Sequence, residues 1–174
     1  WITKFQKPDG SINTDMRNLA NYRTSAAIMA LVAADKEKYK EIITAAQQYI
    51  LSSQYGGRGA NDANAGGFGY YQDEKGEAMP DMSNSNFALE ALEESGLSKD
   101  SDAWKKVQNF LSHCQNRSES NDLPTSGNDG GAIYRTDESK AGDIELPDGT
   151  RQYRSYGSMT YALLRGMIFS GITK

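Results

Sequence analysis

The chain is short of several things, and each shortage narrows what it can be. It has one cysteine, Cys114, in 174 residues, so no internal disulfide framework exists and the compartment is left open. It has one histidine, His113. That argues against a Ser-His triad built on Ser25, Ser83 or Ser158, none of which has a histidine near it in sequence. It has no excess of basic charge: Lys and Arg number 19 against 23 Asp and Glu, giving a net charge of −4 and a pI near 5.1. Nucleic acid and anionic membrane surfaces select basic patches, so neither is expected as a partner. It has no long apolar run, and the mean hydropathy of −0.70 excludes a transmembrane helix. Strand-type alternation is essentially absent, which leaves an all-α chain with enough length for one sizeable core.

What is present is a repeat. The order of parts is an aromatic and an aliphatic at a helix end, a Gln, and a glycine-bearing turn closed by a large apolar residue. It reads Trp1-Ile2-Thr3-Lys4-Phe5-Gln6 with Pro8-Asp9-Gly10-Ser11-Ile12, then Tyr49-Ile50-Leu51-Ser52-Ser53-Gln54 with Gly66-Gly67-Phe68-Gly69-Tyr70. The third copy is Phe110-Leu111-Ser112-His113-Cys114-Gln115 with Gly130-Gly131-Ala132-Ile133-Tyr134. A repeat decides the architecture before any local feature does.

Between the copies, two kinds of helix alternate. Asn21 to Ala34 is apolar all the way round, as expected of an inner helix buried on all sides. Tyr39, Ile42, Ile43, Ala46, Tyr49 and Ile50 form one stripe of a helix from about Asp35 to Ser53, with Lys and Glu between them, which predicts an outer helix. Ser83 or Asn84 can cap a second inner helix carrying Phe87, Ala88, Leu89, Ala91 and Leu92, with a left-handed stop at Gly96-Leu97. Ser98 is placed to cap an outer helix striped by Ala103, Trp104, Val107, Phe110, Leu111 and Cys114. Asn116 to Ser155 reads as loops with room for a short hairpin, and Ser158 to Phe169 as a last inner helix ending at Gly171. The chain opens inside what reads as one helix end and stops just after another, the pattern expected of a segment of a longer protein, with residues 1–174 as a single domain.

A Gln at a helix end followed by a Gly-aromatic turn resembles the QW repeat of squalene and oxidosqualene cyclases, which are related to protein prenyltransferase β subunits. The inner-helix starts Asn21-Tyr22-Arg23-Thr24-Ser25-Ala26, Met82-Ser83-Asn84-Ser85-Asn86-Phe87 and Tyr156-Gly157-Ser158-Met159-Thr160-Tyr161 add to the likeness, as does Ala162-Leu163-Leu164-Arg165-Gly166, which is similar to bacterial squalene-cyclase-like repeat proteins. The resemblance covers nearly the whole chain. It implies an α/α toroid, of which these helices would form about half, around a central cavity often sized for an isoprenoid. Half a ring exposes apolar helix edges, so self-association or packing against further repeats is expected.

The family's chemistry does not carry over residue by residue. Cyclases protonate their terpene from an Asp-x-Asp-Asp motif, and the corresponding stretch is Pro80-Asp81-Met82-Ser83-Asn84. Asp81 keeps the first acid and is the catalytic candidate, but the proton-donating position is Ser83, whose hydroxyl is too weak an acid to protonate an alkene. The bland reading makes Ser83 and Asn84 helix caps. The prenyltransferase zinc set meets Asn21 and Ala27 where ligands would lie, and adjacent His113 and Cys114 point about 100° apart on a helix. Neither metal nor cofactor is expected. The acidic loops (Asp73-Glu74, Asp137-Glu138, Asp143, Glu145, Asp148) lack EF-hand spacing and read as solvated, and Gly56-Gly57-Arg58-Gly59 is no phosphate loop.

Tyr22, Tyr70, Tyr71, Tyr153, Tyr156 and Tyr161 gather near the expected inner mouth, where aromatics suit a hydrocarbon or a sugar face and equally suit packing on helix ends. Arg23, Asn84, Asn86, Tyr153, Tyr156 and Tyr161 are the candidate ligand-binding residues. The expectation is a repeat domain that binds an isoprenoid, a sugar or a protein partner. The alternatives are a class II terpene cyclase completed elsewhere in a longer chain and an α/α-toroid carbohydrate enzyme.

Overall fold

The computed structural model describes residues 1–14, 19–70 and 79–172. A 3-10 turn, Ile2–Phe5, is followed by five helices: α1 (Ala20–Asp35), α2 (Lys40–Ser52), α3 (Met82–Ser95), α4 (Asp102–Cys114) and α5 (Gly157–Phe169). Between α4 and α5 the short strands β1 (Asp143–Glu145) and β2 (Arg151–Tyr153) pair antiparallel, Asp143 opposite Tyr153, so the hairpin for which the loop left room is formed. The fold is helix-dominated, and among the described residues no helix is long and apolar enough to cross a membrane.

The helices lie in two layers. α3 packs between α1 and α5; α2 packs on α1 and α3, and α4 packs on α5. The outer stripes do what their spacing predicts. Ile43, Ala46, Tyr49 and Ile50 of α2 are buried, as are Ala103, Trp104, Val107, Phe110, Leu111 and Cys114 of α4. Phe68 and Phe110 are fully enclosed, and each such burial stabilises the fold by roughly 1.5–3 kcal/mol.

Two expectations need correction. Burial on all sides holds best for α3, the middle helix. α1 leaves Ala26, Ala30, Ala33 and Ala34 exposed, because no helix covers that face; methyl groups make its exposed apolar area small. The caps also sit elsewhere. α3 is capped by Asp81, whose carboxylate accepts from the Asn84 N–H, and α4 by Ser101, whose hydroxyl accepts from the Ala103 N–H. Ser98 lies one turn too early and instead receives the Trp104 indole N–H on its carbonyl at 2.9 Å. The stop at Gly96 is as expected: φ is +85°, the Gly96 N–H reaches the Glu93 carbonyl, and the Leu97 N–H reaches that of Leu92.

The repeat becomes concrete in its hydrogen bonds. Gln6, Gln54 and Gln115 each form an isolated bridge to the closing residue of their turn, Ile12, Phe68 and Ala132. Each Gln also donates its side-chain amide to a glycine carbonyl of that turn: Gly10 at 3.5 Å, Gly66 at 2.9 Å, Gly130 at 3.1 Å. The amide of Gln6 makes a second bond, to the Ile42 carbonyl in the first turn of α2 at 3.0 Å. Gln54 does the same to Ala103 in the first turn of α4, at 3.0 Å. On the other side of each turn, the backbone N–H of Ile12, Phe68 and Ala132 donates to a hydroxyl near the start of α1, α3 or α5: Thr24, Ser85 and Thr160 at 3.0, 2.9 and 3.1 Å. One turn thus fastens the N-terminal end of one layer to the C-terminal end of the other.

Candidate functional site

The place where a cyclase-like acid would stand is the start of α3. Asp81 is 1% exposed, and both of its carboxylate oxygens are in use. Oδ1 accepts the Asn84 backbone N–H at 2.9 Å and Oδ2 accepts the Asn84 side-chain amide at 2.7 Å. Burial pushes the carboxyl of Asp81 above the ordinary aspartate value, against the hydrogen bonds from Asn84, Ser83 and Tyr134, which favour the charged form. A group so enclosed cannot touch a substrate. Its work is to cap α3, whose next bond, the Met82 N–H to the Tyr134 carbonyl at 2.9 Å, comes from the third turn. Ser83 is also engaged: its hydroxyl shares a short hydrogen bond with the Tyr22 hydroxyl of α1.

Around this helix start the chain gathers phenols from three elements. Tyr22 comes from α1, Tyr70 from the end of the second turn and Tyr134 from the end of the third. The Tyr22 ring stacks edge-on against Phe87 of α3, with centroids 4.9 Å apart, and lies 5.8 Å from the ring of Tyr70. The Tyr70 and Tyr134 hydroxyls meet at 3.0 Å, and the Lys140 ammonium sits over the Tyr134 ring at 4.6 Å. Burial raises the Tyr22 phenol, and burial together with the bond to Tyr70 pushes that of Tyr134 far above its usual range. Both therefore stay neutral near pH 7 and act as hydroxyl donors rather than as bases. Beside them the side-chain oxygens of Asn84 and Asn86 are buried and, among the described residues, accept no hydrogen bond. That costs stability unless a donor reaches them.

The candidate ligand residues are not all brought together. Asn84 and Asn86 belong to the start of α3. Tyr156 immediately precedes α5, and burial raises its phenol, with smaller contributions from the charges of Glu138 and Asp81. Arg23 turns to the first loop, donating to Asn13 Oδ1 at 2.8 Å and Thr14 Oγ1 at 2.7 Å. Tyr153 lines a separate polar cleft of about 290 Å³ with Asn116, Asp129 and Arg154. Tyr161 lies on the outer surface of α5, 64% exposed. Tyr71, Asp73 and Glu74 lie outside the described residues. Tyr134 is the member that reading the chain by types missed. Aligning Gly66-Gly67-Phe68-Gly69-Tyr70 with Gly130-Gly131-Ala132-Ile133-Tyr134 would have found it, since the two tyrosines hold the same place.

Among the described residues, no group of three or more His, Cys, Asp or Glu side chains is placed to hold a metal. His113 Nδ1 faces the Asn109 carbonyl at 2.8 Å, as befits a residue in the last turn of a helix, and Nε2 faces Asp122 at 3.3 Å. Cys114 is fully buried, and burial drives its thiol well above the usual value. It is an apolar filler and not a nucleophile. No family model matches the chain, and no curated protein or solved structure matches it. The likeness to squalene cyclases rests on the repeat residues themselves.

Proposed function

We propose that the chain is a squalene cyclase- and prenyltransferase-like repeat domain, part of an α/α-toroid arrangement, that binds a ligand without transforming it. The binding place is the tyrosine-lined mouth at the starts of α1 and α3. One observation carries the reading: the single acid that survives from the cyclase motif, Asp81, has both carboxylate oxygens committed to capping α3 and is 1% exposed. Ser83 next to it is held by Tyr22. Neither can hand a proton to an alkene.

The mouth offers ring edges and neutral phenols, so it suits a ligand with an apolar face and a hydrogen-bonding group. A prenyl alcohol and a sugar ring share that chemistry. The test is a titration of the protein with farnesol and, separately, with maltotriose, followed by backbone amide shifts at the starts of α1 and α3. One of the two is expected to shift them saturably, and Tyr134→Phe to weaken that binding about tenfold, the worth of one well-made hydrogen bond. No shift with either probe would sink the reading. Turnover of a polyprenyl substrate that Asp81→Asn abolishes would replace it with the cyclase alternative.

A further inference from the structure

We propose that the third repeat unit carries an open docking site for one more amphipathic helix of the α2 and α4 kind, entering from the C-terminal turn of α5. The first two clamps show what fills such a site. In each, the Gln amide bridges from its own turn to the first turn of an outer helix, Gln6 to Ile42 and Gln54 to Ala103. The turn's left-handed glycine is pressed under the next turn of that same helix. A Cβ on Gly10 would lie 2.3 Å from the Ala45 carbonyl oxygen, and one on Gly66 would lie 1.9 Å from that of Lys106.

The third clamp has the same parts and no cover. Among the described residues the Gln115 side-chain amide donates only to Gly130, and a Cβ on Gly130, at φ +75°, would meet nothing within 4 Å. The matching inner helix is uncovered on the same side. Ser85 and Thr160 hold the same hydroxyl position, and Gly96 and Gly171 the same stop, so α3 and α5 align along their length. In that alignment Leu164 of α5 takes the place of Leu89 of α3. Leu89 is 1% exposed and Leu164 is 56% exposed. Tyr161 and Ile168 flank it at 64% and 63% exposure. Tyr161 and Leu164, together with Gln115, Gly130, Thr160 and Met167, border a groove of about 490 Å³.

The occupant follows from chemistry and direction. A helix seated there must bring a free first-turn carbonyl to Gln115, a backbone able to lie against Gly130, and an apolar stripe for Tyr161, Leu164 and Ile168. A second copy of the chain has no free outer helix to offer, because the stripes of α2 and α4 are already buried in their own molecule. The direction comes from the end of α5. The Gly171 N–H reaches the Ile168 carbonyl and the Ile172 N–H reaches that of Met167, repeating the bonds with which Gly96 and Leu97 lead out of α3 toward α4. The sequence repeats as well: Ser170-Gly171-Ile172-Thr173-Lys174 matches Ser95-Gly96-Leu97-Ser98-Lys99. The proposal is independent of any ligand at the mouth.

The match defines the experiment. The full chain is extended after Lys174 with the residues that follow Lys99, from Asp100 to Gln115. The extended chain is expected to unfold about 5 °C or more above the original, as burying several apolar side chains should produce, with the Leu164 methyl resonances shifted by new ring and backbone neighbours. Leu164→Asp should erase that gain in the extended chain while leaving the original chain's midpoint unchanged. An extended chain with the original midpoint and unshifted Leu164 methyls overturns the proposal. So does an original chain that runs as a dimer in light scattering and is returned to a monomer by Leu164→Asp, since the face would then belong to a second copy.

Discussion

Gln54 and Gln115 each end an outer helix and each donate to the carbonyl of a left-handed glycine, yet among the described residues only Gln54 also reaches a second helix. Gly66 lies beneath α4, whereas Gly130 faces open space. At the far side of the turns the difference continues, with Leu89 enclosed and Leu164 exposed at matching places. The same local grammar therefore has two energetic values. Where a neighbour lies across it, the turn is a joint between layers; where none does, it is a local ornament that satisfies its own backbone. The second and third units form an internal control in which sequence motif is held constant and tertiary contact is varied.

The sharpest way to break this comparison is to add one methyl group to each glycine. Gly66→Ala forces a non-glycine residue into positive φ, about 1–2 kcal/mol, and drives its Cβ into the Lys106 carbonyl, which α4 cannot move aside without losing its stripe. A total loss of at least about 3 kcal/mol is expected, measured by urea unfolding. Gly130→Ala meets only the dihedral cost, about 1 kcal/mol. Equal losses at the two sites would show that the turns are rigid by themselves and that the α4 contact adds nothing.

A smaller effect of the same kind is expected from the amides. Gln54→Ala removes two hydrogen bonds to main-chain carbonyls, one of them tying α2 to α4, and should cost about 2 kcal/mol. Gln115→Ala removes one exposed bond and should cost about 0.5 kcal/mol. The paired measurement in the same denaturant series is decisive. If Gln115→Ala cost as much as Gln54→Ala, the second acceptor would not be what gives the clamp its strength.

Much of this was written in the chain, and the part that was not has a common cause. The three Gln-glycine turns, the outer stripes from Ile43 to Ile50 and from Trp104 to Cys114, and the Gly96 stop are legible because each depends on residues a few positions apart. The acceptors of Gln6 and Gln54 lie 36 and 49 residues away, and nothing in the local pattern singles out a backbone carbonyl. The same distance hid the hydroxyls of Thr24, Ser85 and Thr160, which read as ordinary early-helix residues. The α3 cap was misplaced for another reason. Ser83 and Asn84 are good capping types, but the residue that caps must precede the helix, and that residue is Asp81. Near the start of α3, Tyr22 and Tyr70 are legible by type, while their meeting with Tyr134 depends on how the second and third turns approach the helix.

The cap itself supplies the smallest and most local difference between the units. α3 starts from Asp81, whereas α5 starts from Tyr156 and has no side-chain cap. Because burial raises the Asp81 carboxyl above its unfolded value near 3.8, the folded chain holds that proton more tightly than the unfolded chain does. Its stabilising contribution is thus complete below the unfolded value and is lost as pH rises through the folded one. Asp62, Glu138 and Asp148 run the other way: their lowered values stabilise the fold above the unfolded range, and that contribution is lost as pH falls. Asp81→Asn keeps a capping side chain and removes only the Asp81 component. Relative to the unaltered chain, the variant should gain stability as pH rises above the unfolded value near 3.8, over the range in which the folded carboxyl still holds its proton. The amides of Asn84 and Ser85 should report it in hydrogen exchange, and those of Met159 and Thr160 at the start of α5 should not. A constant difference in unfolding free energy across that range would mean that Asp81 titrates alike in both states and that the α3 cap is no more buried in its energetics than the open start of α5.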